Sequence, residues 1–295
     1  MQDIISKLVE VCWQAADAIM ACYDDDFNYT PKKDGSPLTK ADLASHHIIV
    51  KALSALTPNI KIISEESSQL IRTKVIINPP ISTSLIAGST NLRISLEGEG
   101  VLSDLKPEQL HDELDNEFWL VDPLDGTKEF IKKNGEFTIN IALVREQNPI
   151  LGLVCCPAFN EIYIGHVGHV CYKQKRHSEQ ITLKLEPHQP EEYIVIGSRS
   201  HGNQKEMGDF LKDKKVKEFL TVGSSLKFCR IAEGKAHLYP RFGRTMEWDT
   251  AAGHAVLMSA GGEVKELDGK PLYYGKARLE NPHFLASFKC AESFP

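Results

Sequence analysis

The sequence predicts a mixed fold in which an α+β half with an antiparallel sheet is followed by an α/β half. Three patterns indicate this: apolar residues recur at helical spacing in the first third, three apolar runs separated by turn residues follow, and strand-like and helical segments then alternate. A Pro- and Glu-rich stretch at 185–191 suggests a boundary. We therefore expect an N-terminal domain over 1–187 and a C-terminal domain over 188–295.

Two helices are expected at the N-terminus. The first carries these apolar residues at helical spacing: Ile5, Leu8, Val9, Cys12, Ala16, Ile19 and Met20. The second runs from about Thr39 to Leu56, and the face it would bury contains Leu43, His47, Val50 and Leu53. Thr39 is its expected N-cap, and Asp42 three residues later forms a loose capping box. Helix initiation is the simplest account of both residues.

Strands dominate the middle of the chain. A short strand is predicted at 60–63, and Glu65 and Glu66 follow it, for which solvated loop charge is the simpler account. Residues 67–116 are treated as an insertion, in which the apolar run at 75–77 could form a hairpin. Consecutive antiparallel strands are expected at 137–144, 150–155 and 161–165, because turn residues separate these apolar runs.

The segment that precedes these strands is the most informative one. It reads Asp-Pro-Leu-Asp-Gly-Thr (122–127) after an apolar run. Pro123 fixes its own φ and cannot donate to a sheet, so we expect the strand to end near Asp122, while Gly126 permits a backbone path closed to other residues. Two carboxylates and a hydroxyl on a stiff turn suit a divalent metal, but the same residues are typical of an ordinary turn.

The C-terminal part alternates regularly. We expect a strand at 193–196, a helix at 204–212, a strand, a helix at 224–233 closed by Gly234, a further strand, and a last helix that opens at Glu247. Asp249 in the first turn of that helix is first of all a cap and a partner of the helix dipole. The small residues after it permit close packing of whatever crosses the helix.

Composition excludes several classes of protein. With 295 residues, 42% of them hydrophobic and 25% charged, the chain can bury a large core and is not disordered. Its formal net charge of -6 argues against a partner that is a nucleic-acid polymer, because a phosphate backbone requires a basic face. The seven cysteines lack a CxxC spacing and fit reduced thiols. His166, His169 and Cys171 are close in sequence, but alternate strand residues point to opposite faces, which disfavours zinc.

Nothing in the sequence indicates export. No apolar run approaches the roughly 18–20 residues of a membrane span, and no basic stretch precedes an apolar one at the N-terminus. The expected location is the cytoplasm, and peripheral attachment to the cytoplasmic face of the inner membrane is left open. The sequence predicts no oligomeric state.

Three acidic segments occur in a distinctive order: Glu-Glu (65–66), Asp-Pro-Leu-Asp-Gly-Thr (122–127) and Trp-Asp-Thr-Ala-Ala-Gly (248–253). In this respect the chain resembles the inositol monophosphatase superfamily of lithium-sensitive, magnesium-dependent phosphatases. Ser-Pro-Leu-Thr-Lys-Ala-Asp (36–42), Gly-Ser-Ser-Leu-Lys-Phe-Cys (223–229) and Tyr-Pro-Arg-Phe-Gly (239–243) are most similar to its 3'(2'),5'-bisphosphate nucleotidase branch. The resemblance implies a layered α-β-α-β-α sandwich of the sugar phosphatase type. It spans the chain except for 67–116, which compact bacterial members replace by a much shorter loop.

The resemblance also implies a site with two or three Mg²⁺ ions. Its metal ligands would be Glu65, Asp122, the carbonyl of Leu124, Asp125 and Asp249, with Glu66 behind them. Hard oxygen donors without imidazole or thiolate favour magnesium over zinc. By the same resemblance, Asp42, Glu65 and Thr127 would orient and deprotonate the water that attacks phosphorus in line.

The substrate implied by the resemblance is a small nucleotide. Its contacts would be Glu65, Leu124, Asp125, Gly126, Thr127, His201, Ser224, Lys227, Arg241 and Asp249. Without the resemblance, Lys227 and Arg241 would be interpreted as solvated surface charges. The implied reaction is hydrolysis of adenosine 3',5'-bisphosphate to AMP and phosphate, with 3'-phosphoadenylyl sulfate as a further substrate, and hence a role in sulfate assimilation.

Two alternatives remain. A phosphatase of the same superfamily that acts on inositol phosphates or fructose 1,6-bisphosphate is disfavoured by the segments at 224–227 and 239–241. A regulator that binds nucleotide or metal without turnover is disfavoured because every acid of the motifs is present together with Thr127.

Overall fold

The computed structural model of the protein describes residues 1–23, 30–31, 37–67, 116–187, 190–198 and 204–288. The hairpin predicted at 75–77, nearly all of the insertion predicted at 67–116, and His201 lie outside these residues. The described helices are α1 (Gln2–Tyr23), α2 (Lys40–Leu56), α3 (Thr127–Ile131), α4 (Gln204–Leu211), α5 (Leu226–Ala232) and α6 (Glu247–Ala260). None of these helices is both long enough and apolar enough to cross a bilayer.

Within the described residues, the larger sheet has seven strands in sequential order. They are β3 (Lys61–Ser64), β4 (Glu117–Asp125), β5 (Thr138–Arg145), β6 (Asn148–Cys156), β7 (Glu161–His166), β8 (Val170–Lys175) and β9 (Gln180–Thr182); β1 (Thr30–Pro31) and β2 (Pro37–Leu38) form a separate ladder. Strand β3 is parallel to β4, and the remaining neighbours are antiparallel. The three consecutive antiparallel strands predicted in the middle of the chain are confirmed.

The end predicted for the strand before Pro123 is wrong. Strand β4 continues through Pro123 to Asp125, and its pairing register with β5 shifts between Asp122 and Asp125. Such an irregularity leaves a ladder position unpaired, so a residue without an N–H is tolerated there. Asp122 and Asp125 consequently sit on either side of a local distortion in the strand.

The second sheet is built from the C-terminal half. Its strands are β10 (Tyr193–Gly197), β11 (Val216–Thr221), β12 (Leu238–Arg241), β13 (Gly262–Glu266) and β14 (Phe284–Phe288), in the spatial order β11-β10-β12-β14-β13. Strand β10 is parallel to both β11 and β12, while β14 is antiparallel to β12 and β13. The predicted alternation of strands and helices is confirmed.

The predicted buried face of α1 is largely correct, whereas that of α2 is mostly wrong. Leu43 is 40% exposed and His47 is exposed. The buried residues of α2 are Ala41, Asp42, Ser45, Ile49 and Leu53. Ser45 is buried because its hydroxyl donates to the carbonyl of Pro123 at 2.7 Å. Two polar residues therefore define the buried stripe, which a pattern of apolar residues alone places incorrectly.

Helix α6 packs between the two sheets at very short range. A Cβ on Gly165 would lie 2.5 Å from Cα of Val256, and a Cβ on Gly152 would overlap the carbonyl of Ala252. Glycine on the strands and alanine on the helix together permit this approach, which confirms the predicted role of the small residues. Within the described residues the layers follow the order α1 and α2, the larger sheet, α5 and α6, and the smaller sheet.

One hydrophobic core contains residues from both halves of the chain. Phe118 and Tyr163 from the larger sheet belong to the same buried cluster as Phe228 and Phe284 from the C-terminal half. The division into two domains at residue 187 stays a prediction. Cysteines 12, 155, 156, 171 and 229 are buried free thiols, and the thiol of Cys171 contacts the carbonyl of Val256 rather than His166 or His169.

A charged cluster on Glu233 fastens α5 to the larger sheet. The Glu233 carboxylate contacts Lys173 Nζ at 2.9 Å and Arg230 Nη1 at 2.7 Å, and Lys173 also contacts Glu161 at 2.8 Å. The Glu233 side chain is only 7% exposed. Burial alone would raise the pKa of Glu233, but hydrogen bonds from Lys173 and Arg230 outweigh it and lower the pKa to about 2.

We expect Glu233→Gln to lower the free energy of unfolding by roughly 3 kcal/mol at pH 7, because it removes the buried negative charge that the partly buried Arg230 and Lys173 contact. The folded pKa lies below the ordinary value of 4.5, so the stabilisation is complete above about pH 4.5 and is lost as the pH falls towards about 2. Urea unfolding between pH 7 and pH 3 measures this. Glu186→Gln, which removes an exposed partner of Lys184, is the control and should change stability little. A difference for Glu233→Gln that does not vary with pH would contradict the prediction.

Candidate active site

The Asp-Pro-Leu-Asp-Gly-Thr turn is held from several sides. Oδ1 of Asp122 accepts from the backbone N–H of Leu124 at 3.1 Å, and the carbonyl of Pro123 accepts from Ser45 on α2. Gly126 adopts a left-handed φ of 88°, and α3 begins at the next residue. The segment is therefore a stiff base, but most of it lies in the last part of β4 rather than after the strand as the sequence predicted.

Asp42 is both a helix cap and a contact of the turn. Its Oδ2 accepts from the backbone N–H of Thr39 at 2.8 Å, which completes the capping box at the start of α2. Its Oδ1 faces the hydroxyl of Thr127 at 3.3 Å, and the same hydroxyl lies 3.3 Å from the carbonyl of Leu124. The capping account is correct, and the second carboxylate oxygen contacts Thr127, one of the residues that the resemblance groups with Asp42.

Asp249 likewise has a capping role in addition to its position at the site. Its Oδ2 accepts from the backbone N–H of Met246 at 2.8 Å at the start of α6. Because α6 lies against the larger sheet, its first turn opens towards the end of β4. The tertiary packing thereby places Asp249 beside a turn that is more than 120 residues earlier in the sequence.

These elements enclose a cavity of about 310 Å³. Its lining includes these predicted site residues: Glu65, Asp122, Leu124, Asp125, Gly126, Thr127 and Asp249. Glu66 is 2% exposed, so solvated loop charge is wrong for that residue. In the part of the chain that the structure describes, no three carboxylate, histidine or cysteine side chains converge closely enough to form a ready-made chelate.

The electrostatics of this cavity favour a cation. Burial, together with the neighbouring Asp125 and Glu65 carboxylates, raises the pKa of Asp249 to about 8. Burial also raises the pKa of Asp125 to about 6, against the opposing effect of Lys227. Oxygen donors that repel one another across an open cavity fit Mg²⁺, which keeps several waters and takes few protein ligands. The residues present therefore suit the ions that the resemblance implies.

A second cavity of about 150 Å³ adjoins the first, and Asp125, Gly126 and Asp249 line both. The lining unique to the second cavity includes the predicted contacts Ser224, Lys227 and Arg241. The structure thus brings every predicted site residue together at the two cavities or directly behind them, apart from His201, which it does not describe.

Lys227 and Arg241 are not solvated surface charges. Lys227 is 4% exposed, its ammonium lies 5.1 Å from the ring centre of Tyr239, and burial lowers its pKa to about 8 despite the opposing effect of Asp125. Arg241 donates to Ser198 Oγ at 2.7 Å and to the carbonyl of Arg244 at 3.0 Å. Its Nε is the one buried side-chain polar atom without a hydrogen-bond partner among the described residues. Two cations with donors to spare make this cavity an anion site.

Sequence reasoning missed the polar residues behind Asp125. Thr138 and Asn140 on β5 and Ser225 before α5 are all buried and form hydrogen bonds with one another or with Asp125. The available signal was the spacing of Thr138 and Asn140, two polar residues on one face of an otherwise apolar strand.

Comparison with known proteins identifies the family of this chain. A model of the inositol monophosphatase family matches residues 1–289 of the chain. The chain belongs to the inositol monophosphatase family. The family resemblance predicted from the acidic motifs is therefore confirmed, and so is the layered fold.

Members of this family that are similar to the chain carry a more specific name. The 3'(2'),5'-bisphosphate nucleotidase CysQ of Escherichia coli K12 is 38% identical over 287 residues, which cover 96% of this chain and 99% of that protein. The corresponding CysQ of Buchnera aphidicola is 37% identical over 96% of this chain and 93% of its own length. The crystal structure of CysQ from Bacteroides thetaiotaomicron, described as a bacterial member of the family, is 32% identical, covers 98% of both chains and has a TM-score of 0.73.

Proposed function

We propose that the protein is a magnesium-dependent phosphomonoesterase that hydrolyses adenosine 3',5'-bisphosphate to AMP and phosphate. The observation that carries this proposal is the pair of adjoining cavities, one lined by carboxylates and the other by the buried cations Lys227 and Arg241. A bisphosphate presents two anions at a fixed separation, one for each cavity. The 38% identity to proteins named 3'(2'),5'-bisphosphate nucleotidase supports the same choice.

The scissile 3'-phosphate would enter the acidic cavity. Glu65, Asp122, Asp125, Asp249 and the carbonyl of Leu124 would hold two or three Mg²⁺ ions there, and the substrate phosphate and waters would complete the coordination. When bound, the ions supply charge neutralisation and activation of the attacking water. The backbone amides that follow Gly126 would bind a phosphate oxygen.

Thr127 and Asp42 would orient the attacking water and accept its proton. The Thr127 hydroxyl has a single proton, which it can give to Asp42 Oδ1 while its oxygen accepts from water. Asp42 cannot rotate freely, because Thr39 engages its other oxygen. A carboxylate fixed in this way can orient the hydroxyl and accept a proton from it as the hydroxyl takes one from the water. A positioned acid–base group of this kind typically contributes roughly 10²–10⁴-fold in rate.

The retained 5'-phosphate would occupy the second cavity. Lys227 and the unpartnered Nε of Arg241 would donate to it, and Ser224 and His201 would add the further contacts that the resemblance implies. Burial of Lys227 lowers its pKa to about 8, and an anionic phosphate within this cavity would favour the charged form again.

A phosphate-release assay on purified protein tests the proposal. With Mg²⁺ we expect much faster turnover of adenosine 3',5'-bisphosphate than of inositol 1-phosphate or fructose 1,6-bisphosphate, turnover of 3'-phosphoadenylyl sulfate, and inhibition by lithium. Faster turnover of either sugar phosphate would reassign the protein within its family. An absence of magnesium-supported turnover of all four substrates would favour a non-catalytic binding protein.

The Lys227→Met variant separates the two phosphate sites. Methionine keeps the apolar stem beside Tyr239 but removes the charge, so KM for adenosine 3',5'-bisphosphate should rise by roughly ten- to a hundredfold, the range for a lost charged hydrogen bond. KM for adenosine 3'-monophosphate, which lacks the second phosphate, should stay nearly unchanged. The control is Lys270→Met, an exposed lysine paired with Asp268. An equal rise of KM for both substrates would show that Lys227 does not bind the 5'-phosphate.

A further inference from the structure

Three buried polar side chains connect the acidic cavity with the second cavity. Thr138, Asn140 and Ser225 have exposed fractions of 0%, 1% and 2%. Two of them lie on β5 behind Asp125, and the third immediately precedes α5, which carries Lys227. Buried polar groups cost free energy unless they are hydrogen-bonded, so the cluster depends on the hydrogen bonds among its members and to Asp125.

The direction of each hydrogen bond in the cluster follows from counting protons. Ser225 Oγ lies 2.6 Å from Asn140 Oδ1, and since that amide oxygen can only accept, Ser225 donates to it. Thr138 Oγ1, 2.9 Å from the same serine oxygen, must then donate to Ser225. Thr138 has no second proton for Asp125 Oδ2, which lies 3.5 Å away, so that contact is weak at most.

The chain of donors ends on one carboxylate oxygen. Asp125 Oδ2 accepts from Asn140 Nδ2 at 3.3 Å and from the backbone N–H of Ser225 at 2.6 Å. Because both donors engage Oδ2, they fix the rotation of the carboxylate and direct Oδ1 by the planarity of the group. Hydrogen bonds of this kind commonly orient metal ligands in proteins.

The turn that contains Gly223 and Ser224, which precedes α5, contacts Glu136 on its other side. Glu136 Oε2 accepts from the backbone N–H of Gly223 at 2.8 Å. A Cβ on Gly223 would lie 2.7 Å from both the carbonyl of Glu136 and Cγ of Glu129, so the turn cannot move closer. Ser224 within it has a left-handed φ of 49°. The turn that leads to Lys227 therefore contacts Asp125 on one side and Glu136 on the other.

We propose that Thr138, Asn140 and Ser225 are positioning residues that orient Asp125 for magnesium and couple magnesium binding to binding of the retained phosphate at Lys227. The proposal rests on the magnesium site of the proposed function. Ordering of the Ser224–Lys227 turn by a phosphate fixes the Ser225 donors on Asp125, and ordering of Asp125 by magnesium fixes the turn. The two ligands must then strengthen each other's binding by the same factor.

Calorimetric titration with MgCl₂ tests the positioning role without any substrate. In Ser225→Ala, which loses the hydroxyl but keeps the backbone donor, we expect the magnesium Kd to rise about tenfold. Thr138→Val, which keeps the shape of the side chain, should raise Kd to a smaller extent, and Thr138→Ser should restore the value of the unsubstituted protein. With AMP present the unsubstituted protein should bind magnesium more tightly. The ratio of the magnesium Kd without AMP to that with AMP should be smaller in Ser225→Ala.

The matched control is Thr57→Val, which removes a buried hydroxyl that accepts from Trp119 Nε1 at 2.9 Å, away from both cavities. It should lower the melting temperature without changing the magnesium Kd. An unchanged Kd in Ser225→Ala, or an equal rise in Thr57→Val, overturns the positioning role. Equal magnesium affinity with and without AMP in the unsubstituted protein overturns the coupling. Since the magnesium titration involves no turnover, it tests the positioning role even if the protein does not catalyse the proposed reaction.

Discussion

Replacement of Asp122 by asparagine is expected to lower kcat/KM for adenosine 3',5'-bisphosphate on the order of 10³-fold while leaving the fold intact. Losses of this size follow when one electrostatic contact to a developing charge is removed. Asparagine keeps an oxygen that can accept from the backbone N–H of Leu124, so the local turn should survive. The negative charge that would bind Mg²⁺ is lost. Initial rates of phosphate release over a range of substrate concentrations give kcat/KM, and a magnesium titration measures the loss of metal binding.

The control for this prediction is Asp268→Asn. Asp268 is an exposed carboxylate that pairs with Lys270 in a surface turn, and its loss should change neither activity nor magnesium binding. Circular dichroism and the melting temperature of Asp122→Asn would establish that it is folded. If the folded variant released phosphate at the rate of the unsubstituted protein, the metal mechanism would have to be abandoned.

Replacement of Thr127 by valine is expected to lower kcat by roughly 10²–10⁴-fold, the contribution typical of a positioned proton acceptor. Valine keeps the branched shape but removes the hydroxyl that lies between Asp42 Oδ1 and the carbonyl of Leu124. The carboxylates that line the acidic cavity stay in place, so the magnesium Kd should change little. This combination of low kcat with retained metal binding distinguishes Thr127→Val from Asp122→Asn.

Thr127→Ser provides the rescue. Serine retains the hydroxyl and loses only the methyl group, so its kcat should return to near that of the unsubstituted protein. Asp42→Asn is the complementary change, but it also weakens the cap of α2, so its activity needs to be compared with its melting temperature. A serine variant as slow as the valine variant would refute a role for the hydroxyl.

Much of the secondary structure could be predicted because its signals are local. The periodicity of α1, the apolar runs of β5 to β7 and the alternation after residue 190 all reflect which residues must be buried in each element. The buried face of α2 could not be predicted in this way. Its stripe contains Asp42 and Ser45, whose partners Thr127 and Pro123 lie far along the chain.

The end of β4 was also decided outside the local sequence. Proline normally ends a strand because it cannot donate to the ladder. Here a register shift between Asp122 and Asp125 allows the strand to continue past Pro123, since the neighbouring strand β5 and the Ser45 contact hold the backbone on both sides. The rule that proline ends a strand considers one strand alone and therefore takes no account of these contacts.

The acidic motifs and their order can be read from the amino-acid sequence alone, and they predict the family correctly, because the oxygen donors that such a site needs are particular residue types on short local turns. The tertiary structure shows which charges are buried at the two cavities. Lys227 has the sequence character of a surface lysine, yet packing of α5 between the sheets buries it beside Arg241 and Asp125. It also decided that Thr138, Asn140 and Ser225 meet behind Asp125. Burial and convergence depend on contacts between distant segments, and only the folded chain brings those segments together.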